Sequence, residues 1–309
     1  MSDTAVTPTG RHPVVFVGAA TMDSIALVPG YPGADDRVLA EELTSAGGGP
    51  AATAAVTAAR LGVPAAFVGT VGDDADGERI LADLRDEGVD VSGVTVATGR
   101  RSAASVIVVD RSRGTRAISA RPGPPVDTTR GVDLVRGAEW VHADHLGWPA
   151  VRALVDPALA TRPRLSVDAG NPIPGFAPDG VDLFVPTVVA LRRVHGERAV
   201  EDLLRAAHAD GARRVVATDG GRGSYGADPS RPTHHAPGVA VDVLSTLGAG
   251  DVFHGALLAA HVRSDDLPAA LAYANVVAAL ACTGLDGRSA VPDHERVLAL
   301  LPDHDPAHA

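Results

Sequence analysis

Apolar residues in this chain fall into two kinds of run, and the two alternate. Short β-branched and aromatic stretches stopped by glycine, such as Val14-Val15-Phe16-Val17-Gly18 and Ala66-Phe67-Val68-Gly69, read as buried strands. Strands of the same kind are expected at Trp140-Val141-His142, Leu165-Ser166-Val167-Asp168, Leu183-Phe184-Val185 and Arg214-Val215-Val216-Ala217-Thr218. Helical segments fall between them. One is Ala-rich, begins near Pro50 and is stopped by Gly62; another runs from Glu197 to Ala209; two long Ala/Leu-rich runs follow Asp251 and Leu267, the second reaching Thr283. A helix and a short strand after Gly88 follow the acidic turn Gly72-Asp73-Asp74-Ala75-Asp76-Gly77. This alternation predicts an α/β fold with a doubly wound, mostly parallel sheet flanked by helices.

Two regions break the pattern. Ile25-Ala26-Leu27-Val28 and Arg37-Val38-Leu39-Ala40 are short extended stretches separated by a Pro/Gly turn, and Ser105 to Val109 with Thr115 to Ser119 carry a hairpin signal. Together they predict a small β lid, from about residue 24 to 45 and 101 to 120, on a single domain spanning 13–302. Residues 1–12 and 303–309 read as tails.

Composition then removes several classes of chemistry. Every basic side chain other than His is Arg, and the absence of Lys excludes Schiff-base enzymes and the Walker A phosphate loop. A formal net charge of −11, from 27 basic and 38 acidic residues, leaves no basic stripe for nucleic acid or an anionic membrane. Small molecules are the expected partners. The single Cys282 cannot pair within the chain, and neither a signal segment nor an apolar run of roughly 20 residues is present, so a cytoplasmic protein is expected.

Against that background, Ser245-Thr246-Leu247-Gly248-Ala249-Gly250-Asp251 stands out, because small residues entering a long helix leave backbone N–H groups uncovered. Such a start attracts anions, and a carboxylate placed there suits proton abstraction from an attacking hydroxyl. A helix-capping Asp beside a glycine turn is the plain alternative. Gly47-Gly48-Gly49-Pro50 is a second glycine-rich entry to a helix, and Asp23 lies just past a predicted strand end, where α/β sheets gather ligands. Gly221-Arg222-Gly223-Ser224-Tyr225-Gly226 matches G-x-G-x-x-G, but Pro229 and Pro232 exclude the helix a dinucleotide site needs, so strand, turn and strand are expected. The His142/His145 and His234/His235 pairs lack the further ligands of a zinc site.

These pieces resemble the ribokinase/PfkB family of carbohydrate kinases. The likeness runs from about Val14 to Asp293 and rests on the Gly47-Gly48 turn entering an Ala-rich helix and on Gly248-Ala249-Gly250-Asp251. Cys282-Thr283, Gly287-Arg288 and Pro292-Asp293 are similar to the spelling of the sulfofructose kinase branch. The resemblance implies transfer of the ATP γ-phosphoryl group to a sugar hydroxyl with Mg²⁺ assisting. It implies Asp251 as general base and Gly248, Ala249 and Gly250 as anion hole. Asp23, Gly47 and Gly48 then bind the sugar, while Thr218, Gly220, Gly223 and Asn275 hold the nucleotide. Arg37 in the lid offers a guanidinium for an anionic sugar, and a homodimer through the lid is expected. Three departures stand against the family pattern. Ala52 replaces a usual Asn, Thr187-Val188-Val189-Ala190 replaces N-x-x-E, and Ser245 replaces the Asp that helps hold a monovalent cation, so little dependence on such a cation is expected. A nucleoside kinase, or a non-catalytic sugar-binding protein, remains open.

Overall fold

The computed structural model describes residues 12–301 apart from 157 and 230, so the expected tails lie outside it except for His12, whose Nε2 is 2.9 Å from Asp90 Oδ2. The chain opens with β1 (Val14–Gly18), passes through β2 (Thr21–Val28) and β3 (Glu42–Gly48), and returns by α1 (Pro50–Arg60) to β4 (Ala65–Gly72). Next come α2 (Ala75–Asp86), β5 (Thr95–Ala97), β6 (Ala103–Asp110) and β7 (Thr115–Arg121). The second half holds α3 (Val132–Gly137), β8 (Trp140–Ala143), α4 (Trp148–Leu154), β9 (Arg164–Asp168), β10 (Leu183–Val185), α5 (Val188–His195), α6 (Val200–Ala209) and β11 (Val215–Thr218). A hairpin, β12 (Ser224–Asp228) and β13 (Arg231–Ala236), precedes α7 (Ala249–Arg263), α8 (Leu267–Ala281) and α9 (His294–Leu298).

Among the described residues the main sheet has nine strands in the order β13-β12-β11-β10-β9-β8-β1-β4-β5. The seven strands from β11 to β5 are parallel, and β12 and β13 add an antiparallel edge. Both faces of β1 are buried, as a parallel sheet covered by helices requires. Val14 and Phe16 belong to the cluster built with α1, α7 and α8, whereas Val15 and Val17 pack toward Trp148 and Leu203 on the other side. The alanines of α1 let α7 come close: a Cβ on Gly255 would meet Ala54 O at 2.3 Å. From β1 the chain moves first to β4 on one side and later to β8 on the other, so the β1/β8 edge is a topological switch point.

The lid is a separate four-stranded sheet, β3-β2-β6-β7. Ile25, Leu27, Ile107 and Val109 turn inward onto Leu285, while Leu43, Val106 and Ile118 face outward. Four details differ from the sequence expectation. Arg37 to Ala40 form no strand; the partner of β2 starts at Glu42, and Ala46, Gly47 and Gly48 are its end, leaving Gly49 (φ 90) as the turn. After Gly88 only Asp90 bridges to Ala66, and the strand itself comes at Thr95. The helix expected from Glu197 starts at Val200. The Ala-rich run from Leu267 stays helical only to Ala281.

Candidate active site

The entry to α7 has the features of an anion site. Gly248 adopts a left-handed conformation (φ 71), and a Cβ there would meet Gly287 Cα at 2.8 Å, so glycine is required on both counts. The next residue, Ala249, donates only a long bond to Thr246 O (3.4 Å), and among the described residues Gly250 and Asp251 N–H have no backbone acceptor. The free donors and the dipole of a 15-residue helix therefore point at one spot. From the lid, Arg116 Nη1 donates to Thr246 Oγ1 at 2.8 Å and brings a positive charge to the same turn. Asp251 is half-buried in the first helical turn, and its carboxylate makes no hydrogen bond or ion pair among the described residues. Burial, and then the nearby Asp168, push its pKa up to about 7.

The sheet edge beneath this turn holds two carboxylates that the sequence reading did not single out. Asp144, just after β8, is fully buried and accepts from Ala19 N (2.7 Å), Ala51 N (3.3 Å), Leu146 N (2.9 Å) and Gly147 N (2.8 Å). It thereby ties the end of β1, the start of α1 and its own loop together. Asp168, the last residue of β9, lies 3.2 Å from His254 Nε2. The signal that picked out Asp23, an acid at a strand's carboxyl end, applies equally to both residues.

Asp23 is buried in β2, and burial raises its pKa. Its Oδ1 has no hydrogen-bond partner among the described residues, and Oδ2 lies where a Cβ on Gly48 would be 2.1 Å away. Next to it, a Cβ on Gly47 would come within 2.4 Å of Arg288 Nη1. Arg288, which the sequence offered only within the Gly287-Arg288 spelling, is the residue whose place at this end sequence reasoning missed. It is buried, donates from Nη2 to Gly48 O (2.9 Å) and from Nε to Thr53 Oγ1 (3.2 Å), and its carbonyl accepts from the Arg60 guanidinium. Burial lowers its pKa to about 10, still far above neutrality. No local spacing could reveal it, since it is 235 positions from Thr53. Arg37, in contrast, sits in the exposed segment between β2 and β3, with no hydrogen bond or ion pair to any of these groups.

At the other end, Thr218 closes β11 and Gly220 begins a 3₁₀ turn (φ 56) with open space where a Cβ would be. Gly223 (φ 95) lies against Ala236 O, where a Cβ would be 2.2 Å away, so strand, turn and strand form as expected. Asn275 donates from Nδ2 to Ala236 O (2.9 Å) and Pro237 O (3.1 Å), fixing the backbone that faces Gly223. Thr187 caps α5 by accepting from Ala190 N (2.9 Å), so this strand end supplies no carboxylate. No group of three or more His, Cys, Asp or Glu side chains among the described residues is arranged to hold a metal ion.

Known proteins share this fold and part of its sequence. The family model for pfkB carbohydrate kinases matches residues 11–151 and 175–294. The chain is 30% identical over 296 residues to an ATP-dependent ribose-1-phosphate kinase of Halopiger xanaduensis, spanning 93% of this chain and 97% of that protein. It is 28% identical over 288 residues to the aminoimidazole riboside kinase of Salmonella typhimurium, spanning 85% and 90% respectively. The solved structure of Arabidopsis thaliana ribokinase with ribose and ATP superposes with a TM-score of 0.79 at 25% identity, covering 94% of this chain and 99% of that one. The chain belongs to the pfkB family of carbohydrate kinases, as an ATP-dependent sugar or nucleoside-type kinase with the ribokinase fold.

Proposed function

We propose that the enzyme phosphorylates a hydroxyl of a sugar or sugar derivative held between Asp23, the Gly47-Gly48 end of β3 and Arg288. One observation carries this reading. Gly287 packs on Gly248 of the anion turn, and the very next residue, Arg288, packs on Gly47 and Gly48. A single loop thus couples the place for the phosphoryl group to the place for its acceptor. Asp251 takes the proton of the attacking hydroxyl, and the N–H groups of Gly248, Ala249 and Gly250, of which Ala249 makes only a long bond to Thr246 O, meet the charge that develops on the transferring group. The backbone of Thr218, Gly220 and Gly223 lies against the nucleotide, with Asn275 bracing the strand opposite. Mg²⁺ neutralises phosphate charge in such transfers. No protein cage is built for it among the described residues, in keeping with an ion that is bound chiefly through nucleotide phosphates and water.

At the acceptor end, Asp23 Oδ1 accepts from a hydroxyl and the Arg288 guanidinium holds an oxygen beside it. A guanidinium already stripped of water favours an anionic acceptor, a sugar phosphate or a sulfonate such as sulfofructose, over a neutral ketose or aldose. The likeness to a kinase for ribose 1-phosphate supports the same choice. A nucleoside acceptor is less favoured, because aromatic residues make up only 3% of the chain and offer few rings for a base to stack on. The outward-facing Leu43, Val106 and Ile118 of the lid support a second copy of the chain as the lid's partner. Among the described residues no helix is long and apolar enough to cross a membrane.

A coupled ADP-release assay over neutral sugars, sugar phosphates, sulfofructose and nucleosides tests the reading. Turnover with a sugar or an anionic sugar is expected. Turnover confined to nucleosides would overturn it.

A further inference from the structure

Behind the proposed base lies a set of buried side chains for which phosphoryl transfer, as described above, has no use. His254 follows Asp251 by three residues on α7, so both project from neighbouring positions on one helix face. Its Nε2 is 3.2 Å from Asp168 Oδ1, which also accepts from Gly170 N at 2.8 Å. Its ring lies 5.0 Å, centroid to centroid, from that of His142 in β8, whose Nδ1 is 3.0 Å from Ser166 Oγ in β9. His142, Ser166, Asp168 and His254 are all buried.

We infer that the His254–Asp168 pair is the positioning element of Asp251, pinning the first turns of α7 to the end of β9 and setting the electrostatic field in which the base works. This rests on Asp251 being the base. The bland alternative is a core histidine that merely fills space, and comparison with two others in the same region argues against it. Burial drives His142 down to about 3 and His261 down to about 4, so both are neutral. Neither has a carboxylate within ion-pair distance among the described residues. For His254 burial also opposes the charge, yet the Asp168 charge and hydrogen bond overcome it and raise the pKa. Burial likewise opposes the Asp168 charge, and His254 holds that carboxyl well below the usual range. Each partner therefore favours the charged form of the other.

Its effect on Asp251 has a sign. The groups that bear on the base are Asp168 from β9, Asp144 after β8 with His145 beside it, neutral His142 from β8, His254 on α7 itself, and Arg116 from β7. Of the charged neighbours, Asp168 raises the Asp251 pKa most and His254 lowers it next. Removing the imidazole leaves Asp168 uncompensated beside the base, which raises its proton affinity. Removing the Asp168 charge also lets His254 shed its proton, and because Asp168 has the larger effect, the net change lowers the proton affinity of Asp251.

The test is the pH dependence of kcat/KM for the best acceptor in wild type, His254→Gln and Asp168→Asn. The acid limb is expected to move up by about one pH unit in His254→Gln and down by a similar amount in Asp168→Asn. A purely structural role would lower kcat without opposed shifts, so unmoved limbs, or movement in the same direction, would overturn the inference. Should Asp168→Asn not fold, nitrogen-15 NMR of histidine-labelled wild type decides instead. His254 is expected to carry protons on both ring nitrogens at pH 7.5 while His142 does not, and a neutral His254 sinks the idea. An Asp251→Asn enzyme that still turned over would remove the base reading itself. An inactive Asp251→Asn enzyme with unmoved limbs in the pair variants would remove only the inference.

Discussion

Gly47→Ala is the sharpest perturbation of the acceptor end, because its effect is set by one atom. The new Cβ would lie 2.4 Å from Arg288 Nη1, about 1 Å inside ordinary contact, so the guanidinium must retreat by about that much. Nη2 donates to Gly48 O at 2.9 Å and Nε to Thr53 Oγ1 at 3.2 Å, and a shift of about 1 Å takes at least one of these out of hydrogen-bonding range. A hydrogen bond to a charged group contributes about 1.5–3 kcal/mol, which in this domain corresponds to a Tm loss of roughly 2–5 °C. If the displaced guanidinium loses its bond to the acceptor as well, kcat/KM for the acceptor falls by roughly 10- to 150-fold, with KM for ATP nearly unchanged. Thermal melting and two-substrate kinetics read the two effects separately. The decisive control is the double variant, since in an Arg288→Gln background the alanine has no long guanidinium to displace and should cost little more. Additive losses, or a rise in KM for ATP of the same size, would show that Gly47 does not act through Arg288.

Asp251→Asn is expected to lower kcat by at least about 10²-fold while Tm holds or rises. The sign follows from the raised pKa of about 7: the folded state resists ionisation of this carboxyl, so stability from the group is lost as pH climbs from the ordinary carboxylate range through about 7, and the amide removes that loss. Gly255→Ala drives a methyl to 2.3 Å from Ala54 O in α1, and overpacking of about 1–3 kcal/mol should appear in melting curves as a Tm loss of roughly 2–5 °C. Exchange of K⁺ for a bulky organic cation at constant ionic strength should change activity little, because Ser245 Oγ already accepts from Leu247 N at 3.2 Å and brings no charge; saturable activation by K⁺ would refute this.

Much of the fold was legible because its signals are local. Short apolar runs, glycine stops and Ala-rich stretches place the strands and helices of the main sheet. The glycine context at Gly221 to Gly226 correctly reads as strand, turn and strand, since two prolines forbid a helix there. Boundaries failed where pairing overrides pattern. The stretch Arg37 to Ala40 looks extended, but β2 pairs with Glu42 to Gly48, so glycines that read as a loop become the last rungs of a lid strand. The turns of the candidate site carry a signal in the sequence, and its long-range partners carry none. Gly248 announces itself by context, whereas Arg288, Asp168 and His254 gain their meaning from neighbours that lie far away in sequence and close only after folding. Asp144 shows the same limit, because its four donors come from three separate segments.

Three carboxyl groups, Asp144, Asp168 and Asp251, influence one another at this edge of the sheet, and their partners explain why Asp251 alone is suited to proton transfer. The oxygens of Asp144 are taken by four backbone N–H groups, so protonating it would break the turns that shape the site. Asp168 is committed to His254 and Gly170, and that ion pair makes it a poor acceptor of a substrate proton. Asp251 has no such partner among the described residues, and it lies in the first turn of the helix whose free N–H groups face the proposed phosphoryl position. Burial, and then the fixed negative charge of Asp168 behind it, raise its proton affinity to near neutrality, while His254 keeps that charge from raising it further. Two carboxylates are thus immobilised, and on the proposed reading the third is left free to take up and release a proton near neutral pH.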